Sequence, residues 1–166
     1  MSAGGKKKCA TCGEWHDVDR MEVAFNSPDA YLAIPKEERD SRVKLNADFC
    51  SIDDRRFFVR GVIPVPVPAR DRDYCWGVWA EVNEADFRAI VETWNAKDVS
   101  GLEPIHGIVA NAVPEYEGAL GLKLQLHLKA DSRPFMYVTE ESDFRQDQVV
   151  GVSLADLDRY FHYIPQ

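Results

Sequence analysis

The chain has 166 residues, 45% of them hydrophobic and 29% charged, and a formal net charge of −8. That length suits one domain able to bury its own core, with the composition of an ordinary soluble globular protein. The acidic balance argues against a general nucleic-acid binder, which would carry a basic face or stripe. The basic cluster at Lys6, Lys7 and Lys8 is accounted for by a solvated tail.

No apolar run has the length of a membrane span, and the first residues lack the apolar stretch of a secretory signal. With 4 cysteines, two of them at metal-binding spacing, the sequence reads as cytoplasmic and reduced. It shows no internal repeat. Residues 1–8 are expected to be a flexible tail and residues 9–166 a single domain.

That domain opens on Cys9-Ala10-Thr11-Cys12-Gly13, with His16 close behind. Two thiols separated by two residues can turn back on one ion at Zn–S distances of ~2.3 Å. Gly13 suits the left-handed backbone such a turn often needs, and the preceding lysines favour the metal-binding thiolate. A closed structural zinc site takes four ligands. Cys9, Cys12 and His16 offer three, and Cys50 in Asn46-Ala47-Asp48-Phe49-Cys50 is the expected fourth, with Asp48, Asp53 and His106 behind it. The same spacing also occurs in inert thiols and in redox pairs. A redox pair of the thioredoxin kind follows a strand and opens a helix, whereas this one follows a polar segment. Cys50 can also be read as a small apolar core residue beside Phe49 and Ile52.

Farther along, Pro35-Lys36-Glu37-Glu38-Arg39 starts a short helix, with proline near the first turn and acids early. Phe57 to Ile63 is strand-like. Pro64, Pro66 and Pro68 then alternate with Val65 and Val67, removing donors along one side. That predicts an edge strand closed to further pairing, or a polyproline-like exit. Tyr74 to Val82 is the next strand. Tyr74, Trp76, Val78, Ala80 and Val82 share one face; Cys75, Gly77, Trp79 and Glu81 share the other. Cys75 is therefore read as structural, and Trp79 as a candidate for a binding face.

Asn83 caps a helix whose apolar stripe is Phe87, Ile90, Val91 and Trp94, with Gly101 beyond its end. Residues 105–113 are apolar enough for a strand. Leu122, Leu124, Leu126 and Leu128 alternate with polar residues, marking a strand with one wet face that carries His127. Residues 134–138 form another short strand. Ser153 caps a last helix lined by Leu154, Leu157, Phe161 and Ile164, with His162 outward. Clean alternation points to antiparallel pairing. The expected class is α+β: an antiparallel sheet with helices on one face and a metal knuckle at one end.

The sequence holds no phosphate loop, GxGxxG, GxSxG or HExxH. Asp53-Asp54-Arg55-Arg56 pairs carboxylates that can do acid–base work, though a polar turn is the plainer reading. Arg60, inside an apolar strand, and Arg133, before Pro134, are each a specific anion contact or an edge residue in a salt bridge. Two functions follow. One is a zinc-stabilised domain that binds another macromolecule, for instance an acidic immunity or antitoxin-like protein facing a basic toxin. The other is an enzyme using an open zinc with a bound water, or the Asp53, Asp54 and Arg60 cluster.

Taken in order, Cys9-Ala-Thr-Cys12-Gly13-Glu-Trp-His16, Asp48-Phe-Cys50-Ser-Ile-Asp53, Phe57-Phe-Val-Arg-Gly61 and Trp76-Gly-Val-Trp79 resemble the uncharacterised bacterial family named domain of unknown function 2199 (DUF2199). The resemblance runs from about Cys9 to the final helix. It implies a CxxCG-x-x-H head and a cysteine just before an Ile-Asp pair, in agreement with Cys50 as fourth ligand. It also implies a His-Pro pair ahead of the last Gln-containing segment. This sequence reads Glu141-Ser-Asp-Phe-Arg-Gln146-Asp-Gln148 there, so no role for that histidine carries over. The resemblance implies no activity.

Overall fold

The computed structural model describes residues 6–8, 15–17 and 22–160. In chain order its elements are β1 (Lys6–Lys8), β2 (Trp15–Asp17), β3 (Glu22–Ala24), α1 (Asp29–Leu32), α2 (Lys36–Arg42), β4 (Val43–Leu45), β5 (Phe49–Ile52), β6 (Arg56–Val67), β7 (Arg72–Val82), α3 (Glu84–Thr93), β8 (Ile105–Val109), β9 (Lys123–Lys129), β10 (Ser132–Val138), α4 (Asp143–Val150) and α5 (Leu154–Tyr160). β1 and β2 pair as a separate antiparallel ribbon, with His16 opposite Lys7. β1 falls in the stretch read from sequence as a tail. Cys9, Cys12 and Gly13, in the connection between these strands, lie outside the described residues, as do Phe161, His162 and Ile164.

The other eight strands form one sheet built around the β6–β7 hairpin. The two strands pair from Phe57 opposite Val82 to Val67 opposite Arg72. Phe57, Val59, Ile63 and Val65 on β6, with Tyr74, Trp76, Val78 and Ala80 on β7, make one buried face. Branched and aromatic side chains at every second position suit such a pleated, packed surface. Each strand then divides its outer edge between two neighbours. β6 takes β5 up to Val59 and β10 at Val62; β7 takes β3 at Cys75 to Gly77 and β8 at Ala80 and Glu81.

β8, β9 and β10 follow as an antiparallel meander, so the pairing returns to β6 and closes a five-stranded ring. A meander with an odd number of strands brings its last strand back in the direction of its first. β10 therefore runs parallel to β6, and β3 also runs parallel to β7. The α+β class holds, but the sheet is mixed rather than antiparallel. Alternation reports which face a side chain takes and is silent about the direction of the neighbouring strand.

Ring closure demands close backbone approach. A Cβ at Gly61 would overlap the Met136 methyl and lie 2.8 Å from the carbonyl oxygen of Pro134. Past Val62, the outer edge of β6 carries Pro64 and Pro66. There the carbonyl of Pro66 accepts from Val152 N–H at 2.9 Å, so the proline-protected edge expected from sequence meets the α4–α5 junction.

The Asn83 cap forms as expected, accepting from Asp86 N–H, and Ser153 accepts from Asp156 N–H. The stripe of α3 is narrower than predicted, with Ile90 buried and Val91 exposed, and Leu154 of α5 also points outward. α4 was not legible as a helix. It buries Phe144, and Gln148 spans the edge of β10, accepting from Val138 N–H and donating to Met136 O.

Gly61→Ala should cost about 1–3 kcal/mol of stability through overpacking at the ring closure. Urea denaturation checks this, with Gly118→Ala as the comparison: its Cβ would meet nothing, so its cost comes from the positive φ alone.

Candidate anion-binding site

Arg60 stands where β6 exchanges β5 for β10, and cross-strand pairing sets it opposite Trp79. Its backbone N–H donates to Asp48 O at 2.9 Å and its Nη1 donates to Ala47 O at 3.2 Å. Asp48, at the entrance to β5, gives its carboxylate to a different arginine: Nε of Arg133 donates to Asp48 Oδ1 at 2.7 Å. The Asp48 carboxylate bonds Arg133 and acts on Arg60 through its charge alone, so among the described residues two guanidinium groups face one carboxylate. Nε of Arg60 is buried and has no hydrogen-bond acceptor among the described residues. Burial pushes the Arg60 guanidinium below its ordinary pKa, the charge of Arg133 adds to this, and Asp48 opposes it. Arginine nonetheless stays charged, so the cluster holds an uncompensated, partly desolvated cation.

Two other arginines of this part of the chain are paired. Arg42 donates through Nε and Nη2 to both oxygens of Asp53, at 2.9 and 2.8 Å. Arg56 does the same to Glu81, at 2.8 and 2.9 Å, beside a concavity of about 380 Å³ lined in part by Phe58, Ile108 and Leu120. A second concavity, of about 200 Å³, is lined by Glu115, Asp143 and Asp147. There the Tyr116 hydroxyl donates to Asp147 and contacts that of Tyr160.

The sequence-predicted residues fall in different places. Trp79 is fully buried, which corrects its reading as part of a binding face. Its indole N–H donates to Phe25 O and its backbone N–H to Asn111 Oδ1. Asn111, itself buried, donates to Ser27 O and Asp29 Oδ1, pinning a second layer over this face of β7. Strand alternation cannot show that both faces are covered.

The Asp53, Asp54 and Arg60 cluster does not assemble. Asp53 and Asp54 occupy the two left-handed positions of the β5–β6 turn, closed by Arg55 N–H donating to Ile52 O, and carry φ of 54° and 51°. Aspartate tolerates that conformation, and such turns match the twist of a hairpin. Arg42 holds the Asp53 carboxyl below its ordinary range, and Asp54 meets Lys44 at 3.4 Å.

Of the metal candidates, Cys50 lies fully buried on β5, opposite Leu45 and Phe58, and burial pushes its thiol up to about 11. Asp48 and Asp53 are committed to arginines, and His106 on β8 is separated from β5 by β6 and β7. Among the described residues no three His, Cys, Asp or Glu side chains come together as a metal site would require. Cys75 is half-buried opposite Glu22, where β3 joins the sheet.

Residues 8–152 match the family described as uncharacterized protein conserved in bacteria (DUF2199). The chain belongs to this family. The matched stretch includes Cys9, Cys12, His16, Asp48, Cys50, Arg60 and Arg133. No curated protein and no solved structure matches the chain. Among the described residues no helix is long and apolar enough to cross a membrane.

The sequence singled out Arg60 and Arg133 separately, because each interrupts or borders apolar strand. It missed Asp48 as the group between them, since Asp48 and Arg133 lie 85 residues apart. Asp48→Asn should destabilise the domain by about 1–3 kcal/mol, because it leaves two guanidinium groups without a countercharge. Adding Arg133→Gln should recover part of that loss. Chemical denaturation of the two variants checks both outcomes.

Proposed function

We propose that this protein is a cytoplasmic bacterial binding module that grips an anionic group on a protein partner at Arg60. In the same reading, a structural zinc ion on Cys9, Cys12, His16 and Cys50 braces its N-terminal segment. One observation supports the binding half: the Arg60 Nε donor is buried, unpartnered and beside a second guanidinium. A buried donor left unmade costs about 1–3 kcal/mol, more when charged. An anion supplied by a partner recovers that deficit, so the site is better satisfied when occupied. The net charge of −8 disfavours a polyanionic partner and leaves a local anionic group as the complement. The carboxylates that an enzyme reading needs, Asp53 and Asp54, are tied to Arg42 and Lys44 in an exposed turn.

For the zinc, the donor set carries the proposal. Two thiols and an imidazole lie within eight residues, and the fourth group is a thiol in dry surroundings. A thiol pushed up by burial is neutral at pH 7 and is ionised only by a bound cation. Such a closed site supplies folding energy rather than catalysis.

Two measurements test the two halves. Mass spectrometry of untagged protein should find one zinc per molecule, lost in a Cys9→Ser, Cys12→Ser variant; metal-free wild-type protein would remove the zinc half. For the binding half, a partner isolated by cross-linking and then purified should bind Arg60→Ala about 10- to 100-fold more weakly than wild type. A partner held equally by both would remove Arg60 from the interface.

A further inference from the structure

The Arg60 site is specific in its geometry, and this deepens the binding reading above on which it rests. A guanidinium takes a carboxylate side-on through Nε and Nη2, and in this fold that edge is what two other arginines use. Arg42 grips Asp53 and Arg56 grips Glu81 in this way, every distance between 2.8 and 2.9 Å. Arg60 is arranged differently. Its Nη1 is engaged by Ala47 O at 3.2 Å, while Nε is without an acceptor. The side-on edge, Nε with Nη2, is therefore the part of Arg60 left without an acceptor among the described residues, with Nε buried in the free protein.

We infer that Arg60 is the receptor for a single carboxylate of the protein partner, supplied by an aspartate or glutamate side group or by the terminal carboxylate. Charge points the same way. Arg60 and Arg133 face one carboxylate, Asp48, so the cluster is short of one negative charge. A carboxylate supplies one. A phosphate group carries nearly two at neutral pH and would leave an excess beside Asp48 in a partly desolvated site, where such an excess is costly.

Shape agrees as well. Bidentate pairing needs the planar fork of arginine and the planar fork of a carboxylate. Trp79, buried across the strand, and Gly61, fixed against Met136 and Pro134, give the base of the site little freedom. The carboxylate reaches the edge by turning the guanidinium outward. This gives up the bond to Ala47 O, which is long and made to a neutral acceptor. Asp48 stays on Arg133 and holds the second positive charge in place, so Arg133 acts as a positioning residue.

The test uses the full-length protein and three salts at one pH and ionic strength: sodium acetate, sodium phosphate and sodium chloride. Thermal unfolding is followed for wild type, Arg60→Gln and Arg60→Lys. Ligand that binds the folded state raises Tm by mass action, here by about 2 °C or more at several times Kd. The expected result is stabilisation by acetate over chloride in wild type. It should be absent in Arg60→Gln and at least halved in Arg60→Lys, which keeps the charge and loses the fork. Phosphate stabilising wild type as much as acetate, and through Arg60, would overturn the carboxylate assignment while leaving an anion site. Equal responses of wild type and Arg60→Gln to both anions would overturn the anion site itself. A poorly folded Arg60→Gln leaves Arg60→Lys to decide: an undiminished acetate response there would overturn bidentate capture.

Discussion

β6 has one outer edge and two strands to serve along it. That constraint organises the molecule. The first residues of β6 are taken by β5, the middle by β10, and the rest carries prolines and meets Val152 rather than another strand. Closing the ring parallel at Val62 requires the backbones of β6 and β10 to approach at Gly61, where no side chain fits. Between the last pair with β5 and the first with β10 lies Arg60, where one neighbour gives way to the other. The β5 approach brings Asp48, the β10 approach brings Arg133, and the three charged side chains meet because the strands exchange there.

The same geometry explains why Arg60 is short of a partner. Two other arginines are met by a carboxylate that a turn or a facing strand places for them, Asp53 for Arg42 and Glu81 for Arg56. At the exchange point two arginines converge from two strands on one carboxylate. Folding alone leaves the deficit, and a partner's carboxylate is the simplest group to fill it. On the proposed reading stability and recognition are coupled: an acceptor at Arg60 would satisfy a donor that the domain buries without one among its described residues.

Much of this was legible in the sequence, and the rest was not for definite reasons. The period-two patterns of β6, β7 and β9 were plain because each strand buries one face continuously. The caps at Asn83 and Ser153 were readable because an aspartate follows three residues on and the contact is local. Pro64 and Pro66 do end strand pairing on the outer edge of β6, but β6 is an interior strand of the sheet rather than the edge strand expected, and Pro68 lies beyond it. What failed was long-range. Nothing in the pattern of β10 says that it returns parallel to β6, and nothing in that of β7 says that Trp79 is roofed by Phe25 and Asn111. α4, with a polar run around Phe144 and Gln148, has too weak an apolar stripe to read as a helix. Arg60 stood out as a charge in an apolar strand, yet its meaning depended on Asp48 and Arg133, which only the closed ring brings together. The CxxC segment was the strongest sequence signal, and its residues lie outside those the structure describes.

Whether Arg60 holds an unsatisfied buried donor can be read from side-chain nitrogen NMR, with its signal assigned by comparison with Arg60→Lys. The expected Nε–H exchanges slowly with water in the free protein and shows no coupling across a hydrogen bond to any protein oxygen. Such a coupling, to a carboxylate carbon, should appear once a partner of the proposed kind is bound. Rapid exchange with water, or a hydrogen bond from Nε to a protein acceptor in the free domain, would contradict this reading: Arg60 would then be an ordinary surface or structural arginine with nothing left to offer a partner.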